Sequence, residues 1–503
     1  MNQKKIILDN ENNNFPIIQI SILIMIALCV RFIFFDNELP LVLDSLTYFS
    51  FSHETKILGH LPEIITFTNL GWTYVLTFFF NIFSFNSAIE YMNLQKIITI
   101  LISSLTIIPV YLLCKKFTEK KYAILAASLF IFDPRIIANS LLGLTDVLYI
   151  FMMTFVFVLF FNIQKKYVYF AFSLAALICL IRAEGVFVFI AISILFFIKF
   201  NNEKKIILKY LICLGIFLII LSPIIIERFE LFQDEFLIQN SNELESIDKN
   251  LTFNIIGGIE NFTKFIGWVT IPIYILFLVP GFFLLIKKWK KQNWYIIIPM
   301  IVMSIPIFYA YSIPAQDTRY LFVLFPFFSI ISIFSIKMLI NKFQNPNKIL
   351  PIILVILIII SSLFLFEKMN PIHETESYLI SKYLVENTQG INTIYPETKY
   401  IRSAEVVNDF PNHIHKNNFG EFVPKMNVFV INEKNLFEFI AKYENDGLTH
   451  IITDENTNRN KILVDLFKSE NNYPFLEKIL DTKELGWQQH FKIFKINYND
   501  FRK

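Results

Sequence analysis

Apolar runs set the rhythm of this chain. They cover about 16–35, 91–113, 121–133, 144–162, 167–181, 185–200, 206–226, 266–286, 294–312, 320–338 and 349–366, with short polar or lysine-bearing breaks between them. A helix needs about 20 apolar residues to cross a bilayer, so the shorter runs borrow flanking residues. The pattern predicts an α-helical polytopic membrane protein with about eleven transmembrane helices. One more stretch, 68–84 ("TNLGWTYVLTFFFNIFS"), is apolar but ambiguous.

From Glu367 onward the pattern changes. Strand-like runs ("INTIYP", "NVFVI", "THIITD", "HFKIFKI") alternate with helix-like ones ("TESYLISKYLVEN", "EKNLFEFIAKYE", "NKILVDLFK"). Such alternation predicts a small α/β domain over 367–503 with a largely parallel sheet, following a membrane domain over 1–366.

The lysines decide the ambiguous stretch. If 68–84 lies along the membrane surface, one side receives Lys4/Lys5, Lys115/Lys116/Lys120/Lys121, Lys165/Lys166, Lys199/Lys204/Lys205, Lys287/Lys288/Lys290/Lys291 and Lys337/Lys342/Lys348. If it crossed, Lys4/Lys5 would face away from the rest. The positive-inside rule therefore predicts a multi-pass cell-membrane protein with a cytoplasmic N-terminus. The first outer loop, 36–90, then carries juxtamembrane helices, with Trp72 and Tyr74 at headgroup level. The C-terminal domain is extracytoplasmic.

Composition agrees. The 503 residues are 55% hydrophobic and 17% charged, against about 25% charged in soluble domains. The net charge of +3 resides in short clusters between apolar runs, which gives no reason to expect a nucleic-acid partner. The apolar run beginning near Phe15 is too long for a signal-peptide core and reads as a retained helix. Cys29, Cys114, Cys179 and Cys213 fall in apolar runs and read as small core residues. No metal site is expected: His53 and His60 could share a helix face, but no third ligand joins them.

Ionisable groups near a bilayer are costly and mark candidate function. On the predicted outer side they are Asp36, Glu38, Asp44, Asp133, Arg135, Asp146, Arg182, Glu184, Asp317 and Arg319. Four loops distant in sequence supply them, and one shared site is the economical expectation. Asp44 can take a proton from an acceptor, or can cap a helix over "DSLTYF". Asp146 opens an apolar helix. Asp133-Pro134-Arg135 stops one, and its two charges can pair. Arg182 and Glu184 interrupt some thirty apolar residues, either as an ion pair or with the arginine facing a phosphate. Arg319-Tyr320 raises the same possibility. Tyr48 and His53 are possible walls of the site, and Arg31 is expected to snorkel to the interface.

The order of these features resembles the GT-C superfamily of polytopic glycosyltransferases. The segments that carry the resemblance are "LVLDSLTYFSFSHE", "GWTYVLTFFFNIF", "LTIIPVYLLCKKFTEKKYAILAASLFIFDPRIIANSLLGLTDVLYIF", "LIRAEGVFVFI" and "TRYLFVLFP", over roughly 15–340. The resemblance implies an inverting transfer from a polyprenyl-phosphate sugar to a protein, lipid or glycan acceptor, with no cofactor. Asp44 matches the family's first-loop acid and the expected base, and Ser45 stands where many members carry a second acid. Asp146 matches the acid of the second outer loop and is expected to be catalytic. Arg319, with Arg182 and Tyr320, is expected at the donor phosphate. Glu184 and Arg135 complete the wall. No "WWDYG"-like motif is present, and the tail resembles accessory domains of archaeal members.

A transporter or flippase for a lipid-linked or polar substrate is the alternative. It would place charges near the bilayer midplane and show inverted repeats, whereas these charges collect at one face and no repeat is evident. Two sequons, at Asn250 and Asn261, fall in a predicted outer loop and are possible glycan acceptors.

Overall fold

The computed structural model describes residues 15–62, 70–232, 253–313, 317–343, 345–388, 391–392, 398–410 and 427–503. The acidic stretch 233–252, with the Asn250 sequon, lies outside them. Two compact units divide the chain. A helical unit comprises Met1–Phe35, Thr66–Val75 and Lys96–Lys368; a mixed unit comprises Asp36–Ile65, Leu76–Gln95 and Met369–Lys503. The helical unit ends at Lys368, and two segments of the first loop join the tail's unit.

Every apolar run of the sequence is helical. In chain order the helices of the first half are α1 (Ile17–Ile33), α2 (Asp44–Leu58), α3 (Gly71–Ile82), α4 (Ala88–Leu105), α5 (Ile107–Cys114), α6 (Lys120–Ile131), α7 (Pro134–Ser140), α8 (Asp146–Phe160), α9 (Lys166–Ile181), α10 (Gly185–Lys199) and α11 (Ile206–Phe232). They are followed by α12 (Ile255–Thr270), α13 (Ile275–Lys287), α14 (Trp294–Ser312), α15 (Phe325–Ile340) and α16 (Pro346–Lys368). Among the described residues, five segments are long and apolar enough to cross a membrane, or seven if each of two bent pairs is one span. The molecule is a mostly helical membrane protein. Ile17–Ile33, Asp146–Phe160, Lys166–Ile181 and Gly185–Lys199 are shorter apolar helices.

Two expected spans are broken. The run 121–133 continues as α6 and α7, bent by 56°. Asp133 and Pro134 cause the bend: Pro134 opens α7, and Asp133 caps it by accepting the amides of Arg135 (2.9 Å) and Ile136 (3.4 Å). The run 266–286 straddles α12 and α13, which meet at 114° across Ile271–Tyr274. Helix α3 is 12 residues long, about 18 Å at 1.5 Å per residue, too short to cross the roughly 30 Å core. Trp72 is fully buried and donates to the Gly143 carbonyl at 3.3 Å, while Tyr74 is exposed.

Between helices in lipid the hydrophobic effect is weak, so close packing of small residues carries association. Fully buried Ala171, Ala175, Ala176 and Ala191 on α9 and α10 fit that role. Of the cysteines, Cys114, Cys179 and Cys213 are buried, but Cys29 faces outward.

Arg31 does not snorkel. It is completely buried. Its guanidinium donates to Ser140 Oγ (3.1 Å), Ser103 Oγ (2.9 Å) and the carbonyls of Ala27 (3.2 Å) and Ile131 (3.2 Å). It satisfies the carbonyl freed at the end of α6 and ties α1 and α4 to the α6–α7 break.

The tail contributes α17 (Pro371–Asn387), α18 (Thr398–Asn408), α19 (Leu436–Tyr443), α20 (Lys461–Lys468) and α21 (Tyr498–Phe501). Its strands are β1 (Ile391–Asn392), β2 (Val428–Phe429), β3 (His450–Asp454), β4 (Leu476–Asp481) and β5 (Phe491–Ile496), in sheet order β2-β1-β3-β5-β4. The sheet is mixed rather than largely parallel. β1 pairs parallel with β2 and β3, but β5 pairs antiparallel with both β3 and β4. The β4–β5 connection is too short for a parallel crossover, which needs about a dozen residues or more. β4 was not foreseen, because the apolar residues of "LEKILD" recur at helical spacing. Phe439, Ile440, Ile451, Ile452, Leu466 and Ile493 form the core beneath the sheet.

The first-loop segments of this unit pack with the tail. Leu39 and Val42 lie against Tyr378, Tyr400 and Ala404, and the Ser403 hydroxyl donates to the Leu41 carbonyl. Helix α2 buries Leu46, Tyr48, Phe49 and Phe51 and ends at Gly59, whose left-handed φ of 77° closes it. His60 therefore lies beyond the helix and does not share a face with His53.

Candidate functional site

In the helical unit one cluster gathers charges from three separated positions. Asp146 is the first residue of α8 and nearly buried. Arg182 and Glu184 form the turn between α9 and α10. Asp317 and Arg319 open the 3-10 helix Thr318–Leu324.

Two glycines shape that turn. A Cβ on Gly185 would lie 2.7 Å from the Cys179 amide nitrogen, and one on Gly71 would lie 2.7 Å from the Leu180 carbonyl oxygen. Only a residue without a side chain lets the backbone come this close to the end of α9. The chain can then turn within Arg182–Glu184 and present both side chains together.

The ion pairs form a connected network. Arg182 pairs with Asp146 through Nη1 and with Glu184 through Nη2 (2.8 Å) and Nε (3.3 Å). Arg319 donates Nε to Asp317 Oδ2 (2.5 Å) and its amide to Asp317 Oδ1 (2.8 Å), and its Nη1 stands 3.9 Å from Asp146 Oδ2. Asp146 thus faces both arginines. Three carboxylates and two guanidiniums leave one excess negative charge. Burial pushes the Glu184 carboxyl up, but the Arg182 charge and hydrogen bonds outweigh burial and hold it below the usual carboxylate value.

Tyr149 was missed from sequence. Arg182 lies 5.9 Å above its ring, and it sits one turn from Asp146 on the same helix face, the spacing that could have flagged it. Tyr320 is half-buried beside the cluster and 6.3 Å, ring to ring, from Tyr311. Asp133 and Arg135 do not pair through their side chains. Asp133 caps α7, while Arg135 Nη2 donates to the Trp268 carbonyl at 2.6 Å and its guanidinium lies 5.5 Å from the Phe364 ring.

Asp44 belongs to the mixed unit. It is exposed and is the first residue of α2, so it acts as a first-turn acid there rather than as the cap. The cap position is taken by Leu43, whose side chain is exposed and whose backbone has φ 50° and ψ −132°. That region suits glycine, and a leucine there stores roughly 1–3 kcal/mol of strain next to the carboxylate. Ser45 is buried, donates to the Val42 carbonyl at 2.6 Å, and its own carbonyl receives Gln95. A second acid at that position would be desolvated.

Tyr48 and His53 are buried. His53 packs against Phe49, Tyr91 and Phe410, with ring centroids 4.8–5.9 Å away. At the next residue, burial pushes the Glu54 carboxyl up to about 7, with His60 pulling it down. Asp36 is a local turn acid, accepting the amides of Glu38 and Leu39. Asn261 lies within α12 and donates to the Tyr311 carbonyl at 3.1 Å. No group of three or more His, Cys, Asp and Glu that could hold a metal occurs among the described residues.

No protein-family model matches this sequence, and no curated protein matches it. Solved structures do. ArnT from Cupriavidus metallidurans, bound to undecaprenyl phosphate, aligns with a TM-score of 0.54 at 10% identity over 96% of this chain and 98% of that one. The oligosaccharyltransferase of Archaeoglobus fulgidus, in complex with zinc and sulfate, gives 0.54 at 14% identity over 87% of this chain and 68% of that one. The Archaeoglobus fulgidus oligosaccharyltransferase AglB, with an inhibitory peptide and a dolichol-phosphate, gives 0.50 at 12% identity over 86% of this chain and 69% of that one. The chain therefore shares the fold of ArnT and of these oligosaccharyltransferase structures.

Proposed function

We propose that this protein moves a sugar from a polyprenyl-phosphate donor to an acceptor hydroxyl or amide on the extracytoplasmic face of the membrane, with inversion. The observation that carries the reading is the cluster of Asp146, Arg182, Glu184, Asp317 and Arg319 in a fold whose solved examples include one bound to undecaprenyl phosphate and one with a dolichol-phosphate. The eleven apolar helical segments each cross the membrane, bent pairs counting once, with the N-terminus inside.

Arg319 is the principal phosphate ligand. Its Nη1 stands 3.9 Å from Asp146, within reach of a phosphate bound beside that carboxylate. Arg182 is held by Asp146 and Glu184 on both arms and orients the site. Asp146 faces both arginines and holds them in place. The exposed carboxylate of Asp44 takes the acceptor's proton. The phosphate leaves as an anion stabilised by arginine, so no general acid is required on that side.

The direct test uses membranes containing the full-length protein and a panel of polyprenyl-phosphate sugars, with label followed into protein and lipid fractions. Asp44→Asn should lower transfer at least a hundredfold, about 3 kcal/mol in barrier, at unchanged expression. Transfer at the wild-type rate would remove Asp44 as the base. A panel that yields no transfer with the wild type favours the flippase reading.

A further inference from the structure

In the mixed unit, β3 ends in a cleft of about 250 Å³ lined by polar side chains, among them Asp454, Glu455, Asn456, Gln488 and His490. Ligands of α/β sheets sit outside the carboxyl ends of parallel strands, and β3 is parallel to β1. The position is therefore one where a ligand is expected.

The walls of the cleft are fixed in advance. On one side Arg459 grips Asp454 through Nε (3.1 and 3.2 Å) and Nη2 (2.7 Å). On the other, the buried Glu376 carboxylate accepts the amides of Gln488 (2.9 Å) and Gln489 (2.8 Å). The Gln489 side chain is tied to the His373 carbonyl (2.6 Å), and His490 is tied to Asp481 (2.8 Å). Second-layer bonds of this kind hold a site in shape before its ligand arrives.

The remaining groups define the ligand. Glu455, Asn456 and Gln488 are exposed at the rim. The Asn456 oxygen already accepts the Asn458 amide at 2.9 Å; its NH2, the Gln488 amide and the Glu455 carboxylate offer donors and acceptors, the complement of neighbouring hydroxyls. Asp454 and Glu455 outnumber Arg459, which disfavours a phosphate or carboxylate. Phe491 is the one apolar lining residue and is buried, which disfavours a lipid. The volume of about 250 Å³ lies below the usual range of ligand clefts, roughly 300–1,000 Å³, and has room for no more than a single ring.

We propose that this cleft binds one neutral sugar residue of a glycan. The choice of a sugar over other neutral polar ligands rests on the proposed glycosyl transfer.

The experiment uses the full-length protein in lipid nanodiscs and saturation-transfer NMR. The probes are the methyl glycosides of glucose, galactose and mannose, and N-acetylglucosamine. At least one should receive saturation from the wild type. Its signal should fall at least fivefold in Glu455→Ala/Asn456→Ala and in Gln488→Ala, with thermal midpoints unchanged. Signal from none of the four, or a signal unaltered in both variants, overturns the inference. Asp44→Asn should keep the signal. Sugar binding without transfer supports the cleft and overturns the transferase reading; transfer without sugar binding does the reverse.

Discussion

Arg31 and the Arg182–Arg319 pair look alike in sequence, since each arginine lies within or at the edge of a long apolar stretch. The structure separates them by the company they keep. Arg31 is completely buried, and its bonding partners are two hydroxyls and two carbonyls, all neutral. Arg182 and Arg319 keep 20% and 29% of their side chains exposed and bond carboxylates. A guanidinium that replaces its hydration shell with fixed neutral groups fastens helices together. One that is partly wet and balanced by acids can exchange a carboxylate for an anionic ligand. The same residue type therefore serves stability in one place and chemistry in the other.

That contrast can be broken experimentally. The largest effect is expected from Arg31→Met, which strands buried hydroxyls and carbonyls and should cost about 4 kcal/mol of stability, read as a lower thermal midpoint in detergent. Activity per folded molecule should stay normal; a variant that melts like the wild type would undo the assignment. Arg319→Ala should do the opposite, lowering transfer about a hundredfold, near 2.7 kcal/mol, with a midpoint within the surface range of about 0.5 kcal/mol. A drop in both would mean that the two sites are not distinct in kind.

The mixed unit supplies smaller tests. Glu54 has its folded pKa raised to about 7 by burial, so its contribution is fully present below the unfolded value near 4.5 and is lost as pH rises through 7. Stability of this unit should fall by on the order of 2 kcal/mol between pH 4.5 and 7. Hydrogen exchange would show the slope, and Glu54→Gln should flatten it. Smallest of all, Leu43→Gly should relieve the left-handed strain and raise stability by about 1 kcal/mol. A loss instead would mean that the leucine side chain is held by contacts worth more than the strain.

The apolar runs were legible because a span is long and its signal is local. The break at Asp133-Pro134 was legible for the same reason, since proline acts on its own neighbours. Trp72, Arg31 and β4 were not. Nothing near Trp72 in the chain announces its partner at Gly143, 71 residues away, and Arg31 looks like a snorkelling residue until Ser140 meets it. The helix-like spacing of "LEKILD" yields to pairing with β5. Of the site, Asp146, Arg182 and Arg319 were readable as costly charges, and their mutual pairing was not.

The make-up of the mixed unit bears on how the chain is born. Residues 36–65 and 76–95 emerge early, yet their compact partners begin at Met369, some 270 residues later. At about 5–20 residues per second the ribosome needs roughly 15–50 s to supply them. Through that interval the buried face of α2 has no tail to cover it. The protein is one in which an early segment must be kept from misassembly until the last quarter of the chain arrives.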